Sequence, residues 1–521
     1  MYVLFGEFCV DAIVKQQIQY LRPTIGVEIV SVYIMLLRAQ RKQIQYKTHP
    51  ESQKNVNKEP FDIVVNGGGI VGLSFLLALR KSPFLQSKRV LLLEQTKQQK
   101  IDTVPDLENK ERLFSNRVSS LTLSSKRFFE TLDVWSDIEP FTKTINSMYV
   151  WSHDFYSGIT FNPSTPSLVS NYCFPGADRV ESNVCYVVEN NHILNALNKA
   201  VPKDWVRFES SLTDLKENGS NVDVVVNGVD SLTTSLLVAS DGFNSFVRKN
   251  CNLKYFEHDL NQNAIVGTVE VANDLENDTN DVAYQRFVLE SNSIFALLPL
   301  SENFSSFVLS VPKGLGEQLM KLSDEEFVDA LNQALFSTYR TGSSFINNTM
   351  DQFNKVVKSL LPSGGNNRPP RQNPPQLVLL DSNSRSMYPL RFGTTLPYLI
   401  GSPKGGHNNK IVIIGDACHR IHPLAGQGLN LGLGDAEVLA ECLHKSLSRG
   451  EKLFGSDQES ADDLRNALFD FENNRQKKLM VMLAAIHGMQ NTFQYVPSSF
   501  LSVFNSLNFV KNEVVKFANS N

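Results

Sequence analysis

The stretch from Phe61 to Glu94 constrains the fold more than any other part of the chain. Phe61–Asn66 (FDIVVN) is an unbroken apolar run, as expected of a strand covered on both faces of a parallel sheet, where alternation is unnecessary. Gly67, Gly69 and Gly72 follow it in a G-x-G-x-x-G spacing, then an apolar helical stretch, then a second buried run, Arg89–Glu94 (RVLLLE). Strand, tight turn, helix and strand within about 30 residues make the crossover that parallel pairing requires. The glycines carry a chemical reading. Gly67 permits the tight turn, Gly69 leaves room for a pyrophosphate against the backbone, and Gly72 lets helix and strand approach closely. The unpaired N–H groups of the helix start then face the phosphate charge. Glu94 closes the second strand about 20 residues after Gly72, where a carboxylate accepts the hydroxyls of an adenosine ribose. The pattern predicts a dinucleotide site.

Ser235–Ser240 and Lys410–Gly415 (KIVIIG) repeat the buried-strand pattern much later, so the cofactor domain is expected in three pieces, 59–140, 186–255 and 385–450. Between them the texture changes. Ala264–Val271, Ala283–Leu289, Ser293–Leu300 and Ser305–Val311 are short, rich in β-branched and aromatic residues, and separated by polar turns. They predict an antiparallel sheet inserted as a substrate domain over 141–185 and 256–384. Ser363–Pro375 lacks the apolar content to pack and is read as a loop. Helical patterning over Glu437–Leu447 and Ala461–Gln490 gives a C-terminal helical region, 451–521. Its end, Tyr495–Phe517, has two readings, docking on a membrane or partner and packing on its own domain. The expected fold class is α/β plus an antiparallel sheet.

Composition excludes several classes. A chain of 521 residues with 42% hydrophobic and 20% charged residues suits a soluble globular protein of two or three domains. Lys and Arg total 50 against 54 Asp and Glu, which gives no electrostatic reason to expect nucleic acid. Cys9, Cys173, Cys185, Cys251, Cys418 and Cys442 are scattered without metal spacing, so no metal site and a reducing compartment are expected. The most apolar stretch near the N-terminus, Ile25–Leu37, is broken by Glu28 and is too short to span a bilayer. Residues 1–58 read as a presequence or a solvated tail. From Met35 onward Arg38, Arg41, Lys42 and Lys47 precede the first acid, Glu51, a basic composition typical of mitochondrial import, although poor in serine.

A second motif follows the strand KIVIIG: Gly415-Asp416-Ala417-x-His419-x-x-His422-Pro423-x-Ala425-Gly426-Gln427-Gly428-x-Asn430-x-Gly432-x-x-Asp435. Asp416, at a strand's C-terminal end, is placed to hold sugar-like hydroxyls. Pro423 to Gly428 make a close backbone loop before a helix beginning near Leu429, whose N-terminus would stabilise negative charge on a reduced isoalloxazine ring.

These two blocks, with Ser240-Asp241-Gly242-Phe243-Asn244-Ser245-x-x-Arg248 between them, resemble the three fingerprints of the FAD-dependent aromatic hydroxylases that share the para-hydroxybenzoate hydroxylase fold. Five further segments are similar to the mitochondrial, ubiquinone-biosynthesis branch of that family: Ser115 to Ser120 (SNRVSS), Val188-Glu189-Asn190, Gln285-Arg286-Phe287, Ala296 to Leu300 (ALLPL) and HRIHPLAGQGLNLG. The resemblance runs from Phe61 to the end, with the motifs in the family's order.

It implies FAD, with roles residue by residue. Gly67, Gly69, Gly72 and Glu94 would hold the adenosine diphosphate half, and Arg117 would reach its phosphates. Asn190 would approach the ribityl chain or flavin edge. Asp241 and Gly242 match a motif linked to FAD and to the NADPH pyrophosphate. Asp416 would bind the ribityl hydroxyls, and Pro423, Gly426, Gln427, Gly428, Leu429 and Asn430 would line the pyrimidine end. The implied reaction uses molecular oxygen and a flavin hydroperoxide to hydroxylate a polyprenyl-hydroxybenzoate or polyprenylphenol at ring carbon five. The implied setting is the matrix side of the mitochondrial inner membrane, in a complex with other coenzyme Q biosynthesis proteins. Gly314-Leu315-Gly316 lacks the third glycine and the strand of a second dinucleotide fingerprint, so electrons would come from transiently bound NADPH or, as the relatives imply, from ferredoxin with its reductase.

Three features depart from the family pattern: Ser240 and Cys418 stand where alanine is usual, and Pro389 to Phe392 replace a glycine-rich continuation. No acid or base is identified by sequence, because the cofactor carries the hard chemistry. Arg286 and His422 are the catalytic candidates. Arg286 reads equally as a charge partner of the ring or as a sheet residue, while His419 and His422 read first as hydrogen-bonding parts of the loop. Cys418 reads as a buried hydrophobe. A halogenase of the same fold would want a W-x-W-x-x-P segment, and Trp135, Trp151 and Trp205 lie far apart. An FAD-bound scaffold for a biosynthetic complex is the reading from another class.

Overall fold

The computed structural model describes residues 60–97, 114–151, 159–161, 183–218, 221–272, 280–288, 291–336, 373–381, 383–395, 397–400, 409–421, 427–455 and 457–494. The readings made above for residues 1–58, for most of Ser363–Pro375 and for the tail from Tyr495 lie outside them. The chain divides into two compact units, one of residues 46–339 and 357–483, the other of residues 1–45, 340–356 and 484–521. All elements below belong to the first unit, except the last turns of the final helix.

The apolar runs become the centre of a mixed sheet ordered β18 (Leu399–Ile400), β19 (Ile411–Ile413), β11 (Asp230–Ala239), β1 (Phe61–Asn66), β2 (Val90–Leu93) and β8 (Val206–Arg207). From β19 to β8 every pairing is parallel. Ile63, Val64 and Val65 are fully buried, the condition that made alternation unnecessary. β10 (Asn221–Val226) and β9 (Leu212–Asn218) extend this sheet antiparallel from the first half of β11. Helix α1 (Ile70–Lys81) crosses from β1 to β2 and packs on α8 (Gln427–Ser448). A Cβ at Gly432 would stand 2.7 Å from Val71, so the two helices meet at contact distance only because that residue is glycine.

The second sheet runs β20 (His419–Arg420), β17 (Ser386–Thr395), β12 (Tyr255–Val271), β15 (Phe304–Pro312), β14 (Ser293–Pro299), β13 (Val282–Val288), β5 (Ser147–Trp151) and β6 (Ile159–Phe161), with β16 (Leu377–Leu380) beside β12. Helices α6 (Lys313–Leu319) and α7 (Asp324–Phe336) lie on one face, where Phe327 of α7 packs among Tyr149, Trp151, Phe295 and Phe307. One end of the opposite face meets a small sheet of β3 (Val118–Leu121), β7 (Cys185–Glu189) and β4 (Lys143–Ile145), around Ile145, Cys185, Val187 and Ala283.

Two details differ from expectation. The segment from Ser386, assigned by sequence to the cofactor domain, pairs along β12 over nearly its whole length and so belongs to the second sheet. That sheet is also not purely antiparallel, because β13 pairs with β5 in parallel. Both are long-range pairings, for which a strand's own residues carry no signal.

Candidate functional site

The cofactor sheet brings the predicted residues to one edge. β1, β2, β11 and β19 are parallel, so their C-terminal ends lie side by side, and Gly67, Glu94, Ser240-Asp241 and Gly415-Asp416 follow those ends. Open α/β sheets bind ligands at this edge. Gly67 adopts φ +112°, and a Cβ there would stand 2.5 Å from the Ser240 carbonyl oxygen. Gly69 precedes α1 in extended backbone, with no side chain capping the helix and nothing within 4 Å of a Cβ built there. The helix therefore offers its first N–H groups into open space, as a pyrophosphate requires.

Glu94 is held rather than free. Its Oε2 accepts the Gly68 N–H at 2.7 Å, and its Oε1 accepts the N–H and hydroxyl of Thr96 at 2.8 and 2.7 Å. Of roughly four acceptor positions on a carboxylate, one remains for a ribose hydroxyl. Ser240, the departure from alanine, gains a role here. Its hydroxyl donates to the carbonyls of Gly67 at 2.9 Å and Asn66 at 3.2 Å, stitching the end of β11 to the glycine turn.

Asp241 accepts from Asn66 Nδ2 at 3.1 Å and from the Phe246 N–H at 2.8 Å through Oδ2, while its buried Oδ1 has no hydrogen-bond partner within bonding geometry among the described residues. Burial raises its pKa. Gly242 follows at φ +74°. Arg248 is buried with its guanidinium 4.1 Å from the Tyr255 ring centroid, and it donates to the carbonyls of Ala417 and Phe243 at 2.6 Å each. It thereby locks the loop after β11 to the turn after β19.

Asp416 is exposed to water, yet desolvation by the surrounding protein raises its pKa against the opposing charges of His419 and Arg420. Its carboxylate is thus open to water at the C-terminal edge of the sheet. Behind it lies a buried network. Asp435 Oδ2 takes the Gly415 N–H at 2.9 Å and His419 Nε2 at 2.6 Å, and its Oδ1 takes Arg475 Nε at 2.6 Å. Burial pushes this carboxyl up, but the charges of His419 and Arg475 with the two hydrogen bonds at Oδ2 outweigh it and hold the pKa at about 2. His419 thus has the structural role read for it. Cys418 is fully buried, and burial pushes its thiol well up.

Other predicted residues are placed differently. Arg117 is exposed, and its guanidinium makes no hydrogen bond or ion pair among the described residues. Asn190 accepts from the Ser119 hydroxyl at 2.6 Å, and its N–H donates to the Arg117 carbonyl at 2.9 Å. The Asn430 side chain is taken up by protein: Oδ1 accepts from the Thr122 N–H at 3.0 Å and the Ser125 hydroxyl at 2.7 Å, and Nδ2 donates to the Ser120 carbonyl at 2.8 Å. It fixes the start of α8 against α2 (Leu123–Thr131). Gln427, Gly428 and Leu429 form the first turn of α8, with open space around Gly428. His422, Pro423 and Gly426 lie outside the described residues. Arg286 is buried and donates through Nη1 to the Ala334 carbonyl of α7 at 3.0 Å, on the helix-covered face of the second sheet. Sequence reasoning missed Asn66 and Arg475. Arg475 lies on α9 (Gln458–Gln494), and no spacing links it to Asp435.

The glycine cradle, the open helix start, the unpartnered Asp241 oxygen and the accessible Asp416 fit a dinucleotide with a polyhydroxyl chain. A family model described as the FAD binding domain matches residues 405–471. The chain is 32% identical over 478 residues to the mitochondrial ubiquinone biosynthesis monooxygenase COQ6 of Xenopus tropicalis, covering 88% of this chain and 93% of that protein. It is 30% identical over 501 residues to the same enzyme of Danio rerio, covering 92% and 94%. The chain belongs to the COQ6 family of ubiquinone biosynthesis monooxygenases. It is an FAD-dependent oxidoreductase, and its cofactor is FAD. The fold is shared with PqsL, a probable FAD-dependent monooxygenase from Pseudomonas aeruginosa, at a TM-score of 0.58 and 17% identity over 86% of this chain and 100% of that one.

Proposed function

We propose that this COQ6-family monooxygenase hydroxylates a polyprenylated hydroxybenzoate or phenol at ring carbon five, on the route to ubiquinone, in mitochondria. The observation that carries the reading is the convergence of Gly67, Glu94, Asp241 and Asp416 on one sheet edge, beside a second sheet whose far face is, among the described residues, only partly covered. FAD, when bound and reduced, supplies the chemistry that activates molecular oxygen. The chain's own residues bind and orient. The open N–H groups of α1 and the exposed Arg117 guanidinium hold the pyrophosphate, Glu94 takes one ribose hydroxyl, and Asp416 takes the ribityl hydroxyls. Asn190 sets the Arg117 backbone, and the first turn of α8 faces the pyrimidine end of the flavin through its backbone. Electrons come from ferredoxin with its reductase, with NADPH as the other donor to test. The protein works at the matrix face of the inner membrane with other proteins of the route. Among the described residues no helix is long and apolar enough to cross a membrane.

The test supplies FAD-loaded protein with a prenylated 4-hydroxybenzoate, isotopically labelled oxygen, and either reduced ferredoxin or NADPH. The expected product carries one labelled oxygen on the ring. Bound FAD with electron uptake but no labelled product from any prenylated phenol sinks the reading and leaves a flavin-binding scaffold. Asp416→Ala is expected to weaken FAD about 10- to 100-fold, the range for losing a charge-assisted hydrogen bond, and equilibrium dialysis of flavin against the variant checks it.

A further inference from the structure

We infer that Gln285 recognises the oxygen substituent on the substrate's ring, an inference that rests on the function just proposed and deepens it. Successive side chains of a strand point to opposite faces. Arg286 bonds to Ala334 of α7, so its neighbour Gln285 points to the other face of the second sheet. There the register aligns one row across five strands: Gln285 opposite Ala296, Ala296 opposite Val308, Val308 opposite Val266, and Val266 opposite Ser386. Ala296, Val308, Val266 and Ser386 are all half-buried although three of them lie on interior strands. Among the described residues the small sheet packs two residues along, on Ala283 and the half-buried Leu298, and not on this row.

Ala296, Val308 and Val266 carry small side chains on neighbouring strands about 4.8 Å apart, which makes an apolar platform about 10 Å across, the breadth of one substituted aromatic ring. Its two ends are polar and unlike. Ser386 is already engaged, its hydroxyl accepting from Asn116 Nδ2 at 2.9 Å. Gln285 is only 4% exposed, yet its amide makes no hydrogen bond among the described residues. The amide oxygen and nitrogen are not among the fully buried, unpartnered polar atoms, so the amide keeps a water-accessible edge, and it stands beside a platform shaped for an aromatic face. A ring lying on Ala296, Val308 and Val266 brings a phenol or carboxylate oxygen to the Gln285 amide, which both donates and accepts.

The experiment titrates FAD-loaded wild type and Gln285→Leu, by perturbation of the flavin spectrum, with a prenylated 4-hydroxybenzoate, a prenylated phenol and a prenylated benzene lacking ring oxygens. Wild type is expected to prefer the oxygenated rings, and Gln285→Leu to lose that preference by 10- to 100-fold while binding the prenylated benzene as wild type does. FAD content and melting temperature should not fall, because among the described residues the amide has no partner to lose. The benzoate against the phenol separates carboxylate from hydroxyl recognition, and a loss on either supports the assignment. An equal loss on all three rings, a fall in melting temperature, or an unchanged preference overturns it. Failure of wild type to bind any oxygenated ring overturns the proposed function as well.

Discussion

Gly72→Ala should give a protein that melts several degrees lower and is purified without flavin. The new Cβ would sit 2.1 Å from the Gly67 carbonyl oxygen and 2.6 Å from the Ser240 hydroxyl. The first of these is backbone, fixed by the Gly67 N–H bond to the Leu93 carbonyl at 2.8 Å, so the turn cannot swing aside as a long side chain would. Overpacking against such a neighbour costs about 3 kcal/mol or more, and it displaces the turn that carries the pyrophosphate site. Gly69→Ala is the contrasting variant. Nothing in the protein lies within 4 Å of its Cβ and its φ of −72° suits alanine, so it should fold as wild type and lose only FAD affinity. Differential scanning calorimetry with the visible spectrum of both variants checks the pair; a Gly72→Ala protein that is yellow and melts normally refutes it.

Asp435→Asn should destabilise the protein by about 3–5 kcal/mol, the usual loss when one partner of a buried ion pair is removed. Asp435 is fully buried, and the variant leaves Arg475, itself 3% exposed, without its counter-charge and weakens the hold on Gly415 and His419. The pH dependence has a definite sign. The folded-state pKa of about 2 lies below the ordinary 3.8, so this carboxylate stabilises the fold fully above about pH 4, and that contribution is lost as pH falls toward 2. The stability gap between wild type and Asp435→Asn should therefore be constant from neutral pH to about 5 and narrow below 4. Urea unfolding at a series of pH values measures it, and a gap that widens in acid contradicts the assignment.

The cofactor half of the site was legible because its chemistry is local. Gly67, Gly69 and Gly72 are required by backbone geometry within one turn, and the run FDIVVN appears in the structure at the predicted bounds, Phe61–Asn66. The placement of Asp416 was legible for the same reason, since it lies in the short turn that follows β19. Asn430 shows the limit. Its position in the glycine motif pointed to the cofactor, while the structure spends its amide on Thr122, Ser125 and Ser120, partners some 300 residues away in sequence. Arg286 shows it again: its type invited a charge role, and a single step along β13 sends it to α7 and Gln285 to the opposite face.

What the sequence by itself determined is the class of fold, the cofactor and the family, because buried runs, turn glycines and strand-end acids satisfy needs set within a few bonds. Tertiary structure alone decided which side chains converge. Asp435 meets Arg475, Ser240 meets Gly67, and Gln285 completes a row with Ser386 only when distant strands pair in one register. Pairing register and helix docking depend on the burial of whole faces, a sum over many residues that no single motif contains.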